Sequence, residues 1–116
     1  MSATRLCDVV VEGMLEKKAE DVVVLDLSEV KNAIASYFVI ASGNSDTQIA
    51  AISESIEEMV YKNLSQEPWH KEGVQNREWI LIDYVDVVAH VFSKKTREFY
   101  GLEDLWGDAV ISQISS

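Results

Sequence analysis

Asp83 and Asp86 are the first residues in this chain whose type and spacing suggest chemistry. Paired carboxylates can hold Mg²⁺ or divide acid–base work between them. A metal centre of the nucleotidyltransferase kind, however, needs carboxylates at i and i+2, projecting together from one strand. Here the spacing is i and i+3 across a turn, with no third carboxylate at a supporting position. Turn capping by aspartate is the stronger reading. His70 and His90 have no Cys or His at metal-ligand spacing, so no zinc site is expected. His90, inside an apolar run, reads as a hydrogen-bonded sheet residue, and no Ser, His and Asp set declares itself as a triad. Cys7 borders an apolar stripe with no activating cation or His nearby, which describes a structural thiol. The run Ala41-Ser42-Gly43-Asn44-Ser45-Asp46 offers backbone N–H groups where anions bind helices. It has a single glycine and no Gly-Lys-Ser or Gly-Lys-Thr, so a capped turn fits it better than a phosphate loop. No catalytic residue, metal or cofactor is therefore expected.

Binding is better served. Trp79, Tyr84 and Tyr100, with Arg97, are residue types that dominate interface energetics. The competing reading, that the aromatic rings only fill the core, carries equal weight. Residue physics alone favours a small acidic α/β binding module over an enzyme.

The elements that must position these side chains centre on Trp79 to Phe92. Apolar, largely β-branched runs on either side of Asp83–Asp86 predict two strands and a tight turn. Neither run alternates cleanly, which predicts a sheet covered on both faces. Upstream, Thr4–Lys18 predicts an amphipathic helix, and Val22–Leu27 and Tyr37–Ser42 predict strands. Ser45 and Gln48 have capping-box spacing ahead of Ile49, Ile52, Ile56, Met59 and Val60, a helical pattern. Pro68–Gly73 predicts a short edge strand, reached from the second strand by a right-handed parallel crossover. Ser93 caps a short helix, and Leu102, Leu105 and Trp106 are expected to close over the sheet. The tail from Asp108 to Ser116 is expected to fray. The expected fold is α/β (α+β), with a mixed five-stranded sheet flanked by helices.

At 116 residues the chain is sized for one domain, 1–116, with a modest core. Hydrophobic residues at 47% and charged residues at 26% describe an ordinary soluble domain. No run is long enough to span a membrane, and the N-terminus lacks signal-peptide order. The single cysteine fits a reducing compartment, so a cytoplasmic location is expected. A net charge of −10 repels phosphate backbones and favours basic partners, which argues against direct, sequence-specific nucleic-acid binding.

Four ordered blocks carry a family resemblance: Asp21–Asp26, Tyr37–Gln48, Trp79–Phe92 and Arg97–Ala109, with Glu72-Gly73 ahead of the tryptophan strand. Over nearly its whole length the chain resembles the ribosomal silencing factor, or Iojap, family. The resemblance implies a nucleotidyltransferase-like fold without the catalytic motif. It also implies binding to the large ribosomal subunit through a basic ribosomal protein, which sterically blocks small-subunit joining and represses translation. Large-subunit assembly is the alternative duty, a nucleotidyltransferase-like enzyme the weaker one, and a homodimer is left open. The expected partner-binding residues are Trp79, Asp83, Tyr84, Asp86, Arg97 and Tyr100, around the exposed side of the hairpin. One departure stands out: Val85 occupies the place of the family's usual glycine in the Asp83–Asp86 turn. A β-branched residue resists positive φ, so an αR or β conformation is expected there.

Overall fold

The β-branched runs pair into a sheet whose two innermost strands are almost wholly buried. In the computed structural model, which describes residues 2–114, the element order is α1 (Ala3–Glu16), β1 (Glu20–Asp26), β2 (Tyr37–Gly43), α2 (Asp46–Leu64), β3 (His70–Glu72), β4 (Trp79–Asp83), β5 (Val87–Ser93), α3 (Lys94–Tyr100), α4 (Leu102–Leu105) and β6 (Val110–Gln113). The sheet runs β3-β4-β5-β2-β1-β6, with six strands rather than five. The additional strand is β6, antiparallel to β1, which pairs Val110 with Asp26 and Gln113 with Val23. Residues 108–114 thus do not fray as a unit; Ser115 and Ser116 lie outside the described residues. Four residues give too short a run for periodicity to reveal, and β6 exists because β1 supplies an open edge.

Among the described residues, β2 and β5 are the one directly paired set of parallel neighbours; the other pairs are antiparallel. The expected crossover does carry the chain from β2 through α2 to β3, and the pairings leave β3 parallel in direction to β2. It passes over β5 and β4 to reach the far edge, so the two strands it joins are not neighbours.

Alternation divides the sheet into two faces. Val22, Val39, Ala41, Ile80, Ile82, Val87, Ala89 and Val91 face α1 and α2. Val23, Leu25, Phe38, Ile40, Val88 and Phe92 face the short helices, where Leu102 and Trp106 pack. Leu105, expected to close over the sheet with them, is 70% exposed instead. α1 and α2 approach closely because Gly13 has no side chain: a Cβ there would lie 2.8 Å from Ile56 Cα. At the same crossing, buried Ser55 Oγ donates to Gly13 O at 2.7 Å.

Ser45 caps α2 as its spacing predicts, accepting from Gln48 N at 3.0 Å. The reciprocal bond is displaced by one residue, since Gln48 Oε1 accepts from Asn44 N at 2.6 Å. Gln48 Nε2 also donates to the carbonyls of Lys17 and Lys18, tying the end of α1 to the start of α2. With its donors occupied by Ser45 and Gln48, this turn is a capped junction. Gly73, at φ +81°, is obligatory: a Cβ would fall 1.9 Å from Trp79 O.

Candidate functional site

The strongest concentration of exposed aromatic surface forms where β4 begins and α3 ends. Ser93 starts α3 by accepting from Thr96 N at 3.2 Å. Gly101, at φ +56°, ends it in the left-handed conformation that turns the chain into α4. Arg97 locks this segment to the sheet. Its Nη1 donates to Asp21 O at 2.7 Å and to Ser42 Oγ at 2.9 Å. Nε and Nη2 meet both oxygens of Glu103 at 3.0 and 3.1 Å, a bidentate, charge-assisted pair. Only 12% of the Arg97 side chain is exposed. Arg97 therefore positions the site from beneath.

Above this anchor, half-buried Trp79 stacks on Phe92 at 4.9 Å and contacts Tyr100 at 4.8 Å. Its indole Nε1–H donates to His90 Nδ1 at 3.1 Å. That acceptor role places the imidazole proton on Nε2, a buried atom without a partner in the structure. Burial pushes the His90 pKa down to about 3, so the ring is neutral at physiological pH. His90 is a core residue that orients Trp79.

The outer layer is Phe99 and Tyr100, 81% and 52% exposed, in edge contact at 5.1 Å. With Glu78, Lys95, Thr96 and Glu98 they line an open recess of about 640 Å³. Phe99 and Lys95 escaped the sequence reading. α3 spans seven residues, too few for a 3.6-residue pattern to show that both adjacent aromatic residues face out.

The other predicted residues lie at the opposite end of β4. Asp83 is four residue steps from Trp79, roughly 13 Å along the strand. Asp83 Oδ1 accepts from Val85 N at 2.7 Å, the turn-capping role expected of it. Asp86 is exposed, and its carbonyl accepts from Ser36 N at 2.8 Å and Tyr37 N at 3.1 Å, fastening the β1–β2 connection. Tyr84 is not displayed on the exposed side of the hairpin. It is 3% exposed, packed with the core beneath α1 and α2, and its hydroxyl has no partner in the structure. Burial, and secondarily Glu57, raise its pKa. The tip turn needs one apolar side chain folded inward, and Tyr84 provides it.

Val85 overturns the expected conformation: its φ is +76°. Asp86 N donates to Tyr84 O at 3.0 Å, an i to i+2 bond that makes Val85 the centre of a γ-turn. The Asp83 bond to Val85 N and the Tyr84 N bond to Val87 O, at 2.9 Å, hold the turn from both sides. These bonds outweigh the preference of a β-branched residue, leaving local strain at the tip.

The remaining candidates for chemistry are dispersed. Cys7 is buried, and burial, then Asp8 and Asp26, push its thiol up to about 12, far from a reactive thiolate. His70, on the edge strand β3, meets Glu72 at 3.2 Å and lies beside the Trp69 ring at 5.8 Å. Among the described residues no three His, Cys, Asp or Glu are grouped to hold a metal ion. Nor is any helix among them long and apolar enough to cross a membrane.

The sequence matches the model of the family "Ribosomal silencing factor during starvation" over residues 1–116. It is 41% identical over 99 residues to ribosomal silencing factor RsfS of Bacillus subtilis, covering 85% of this chain and 82% of that one. It is 32% identical over 102 residues to the mouse protein named mitochondrial assembly of ribosomal large subunit protein 1, covering 85% of this chain and 44% of that one. A crystal structure of a Chromobacterium violaceum protein superimposes with a TM-score of 0.86 at 28% identity, covering 100% of this chain and 92% of that one.

Proposed function

The chain belongs to the ribosomal silencing factor family, and from that premise we propose that it binds the large ribosomal subunit through a basic ribosomal protein on the subunit-joining face. Seated there, it sterically blocks the small subunit and so represses translation. The observation that carries this reading is the aromatic outcrop of Phe99 and Tyr100, exposed on a chain of net charge −10 and anchored from below by Trp79 and Arg97. Exposed aromatic residues on a rigid base are what interface hot spots are made of. Surplus negative charge steers the chain toward a basic protein and away from the surrounding RNA.

The mechanism needs no bond making, and the dispersed His, Cys and Asp residues suit a role other than catalysis. Trp79, Tyr100 and Phe99 form the contact, Arg97 positions them, and Asp83 and Asp86 extend the acidic surface at the far end of the hairpin. Tyr84 supports the tip from inside. Purified small and large subunits mixed with the chain and separated on a sucrose gradient test this. Wild type should leave the subunits apart, whereas Phe99→Ala with Tyr100→Ala should let them join while thermal stability changes little. Undiminished joining at saturating wild-type protein would end the proposal.

The name of the mouse relative supports a second reading, a role in building the large subunit. Cosedimentation of the chain with precursor particles, and not with mature subunits, would favour it.

A further inference from the structure

The two edges of the sheet are built differently. β3, at one edge, reads His70-Lys71-Glu72, follows Pro68, and pairs Lys71 with Glu57 at 3.0 Å. Charge and proline of that kind discourage further strand pairing. β6, at the other edge, reads Val110-Ile111-Ser112-Gln113, with neither a charge nor a proline. Val110, Ile111 and Ile114 are 63%, 48% and 44% exposed.

The direction of the β6 backbone follows from its register. Ile114 N–H donates to Val22 O at 2.8 Å, and Ser112 pairs with Val24. Antiparallel alternation therefore turns Ser112 toward β1 and the N–H and C=O of Ile111 toward the open edge. The same alternation places Ser112 and Ile114 on the α1 side of the sheet and Ile111 on the other.

On the α1 side lies a cleft of about 440 Å³, where Asp8, Val11, Glu12 and Tyr37 meet Ser112 and Ile114. It contains two carboxylates and no lysine or arginine. Asp8 and Asp26 also help to raise the nearby Cys7 thiol, a local sign of the same negative field.

We infer that the β6 edge is a second docking strip, which takes an extended segment of a basic protein as an added strand beside Ile111. Lysine or arginine side chains of that segment reach toward Asp8 and Glu12 on one face, while the alternate apolar side chains pack by Ile111 on the other. A second copy of this chain is the poorer occupant. Two-fold pairing of β6 with itself would bring two sets of Asp8 and Glu12 together on chains that each carry −10. The strip is separate from the aromatic outcrop and does not depend on its role.

A short peptide alternating valine with lysine, and its counterpart with glutamate for lysine, test the inference on the whole chain by backbone NMR. The lysine peptide should perturb residues 110–114, slow exchange of the Ile111 amide, and lose affinity as salt rises. Ile111→Pro removes the outward N–H and the Ile111 side chain without touching a bond to β1, and should weaken that binding at least tenfold with the fold retained. Asp8→Asn with Glu12→Gln leaves the edge intact and should sharply reduce the preference for lysine over glutamate, the remainder coming from the chain's overall negative charge. Absence of binding, equal binding of both peptides, or perturbation centred on Phe99 would overturn the inference. So would a dimer in sedimentation equilibrium that Ile111→Pro dissolves, since the occupant would then be a second copy.

Discussion

The two faces of the sheet are covered in unlike ways. On one, α1 and α2 lie side by side over Val, Ile and Ala residues, and the layer is almost entirely apolar. On the other, two short helices and a loop cover Phe38, His90 and Phe92, and the layer is held by the Trp79–His90 hydrogen bond and the Arg97–Glu103 pair. The first face has the redundancy of many small dispersion contacts. The second depends on a few directional contacts, which fix Phe99 and Tyr100 in place. Stability and presentation are thus assigned to opposite sides of one sheet.

The largest effect should come from the helical face. Ile56→Ala, at a fully buried position where α2 crosses Gly13 of α1, should cost about 4 kcal/mol in urea unfolding. A loss under about 1 kcal/mol would mean that this face is less tightly packed than the short-helix face. On the opposite side, Arg97→Ala should cost about 2 kcal/mol, because it leaves Glu103 unpaired and partly shielded from water. It should also weaken subunit binding more than Ile56→Ala does, since it releases α3 while the helical core stays packed.

Acidification should expose the same contrast. The His90 pKa falls from 6.5 in the unfolded chain to about 3 in the fold. Between those values the unfolded chain binds the proton and the folded one does not. The stability associated with neutral His90 is therefore complete above pH 6.5 and is lost progressively down to pH 3. From pH 7 to pH 5 the loss should be about 2 kcal/mol. Denaturant titrations at both pH values, repeated with His90→Gln, isolate this share. An unchanged slope in the variant would contradict the assignment.

The smallest effect should arise at the hairpin tip and carry the opposite sign. Val85→Gly relieves a positive φ at a side chain that is 57% exposed, and should stabilise the chain by about 1 kcal/mol. A destabilised variant would show that the Val85 side chain makes a contact worth more than the backbone strain.

Legibility in the sequence followed the length and regularity of each element. α2 could be placed from five apolar positions and its Ser45 cap, and the hairpin from two β-branched runs. The six-strand count was not legible, because β6 is too short to show a period and forms only against β1. The site was half legible. Trp79 and Tyr100 do meet, 4.8 Å apart, but Tyr84 turns into the core and Arg97 bonds inward. Residue type says what a side chain is able to do; which way it points depends on where neighbouring strands and helices lie.

Composition, periodicity and capping residues by themselves determined an acidic α/β chain with two amphipathic helices and a central hairpin, and four ordered sequence blocks carried the family resemblance. These signals are local, carried by residues a few positions apart. Tertiary structure alone decided the positive φ of Val85, the burial of Tyr84, the inward bonds of Arg97 and the exposure of β6. Each is settled by hydrogen bonds and packing between segments distant in the chain, whose energies outweigh the preferences of the residues they act on.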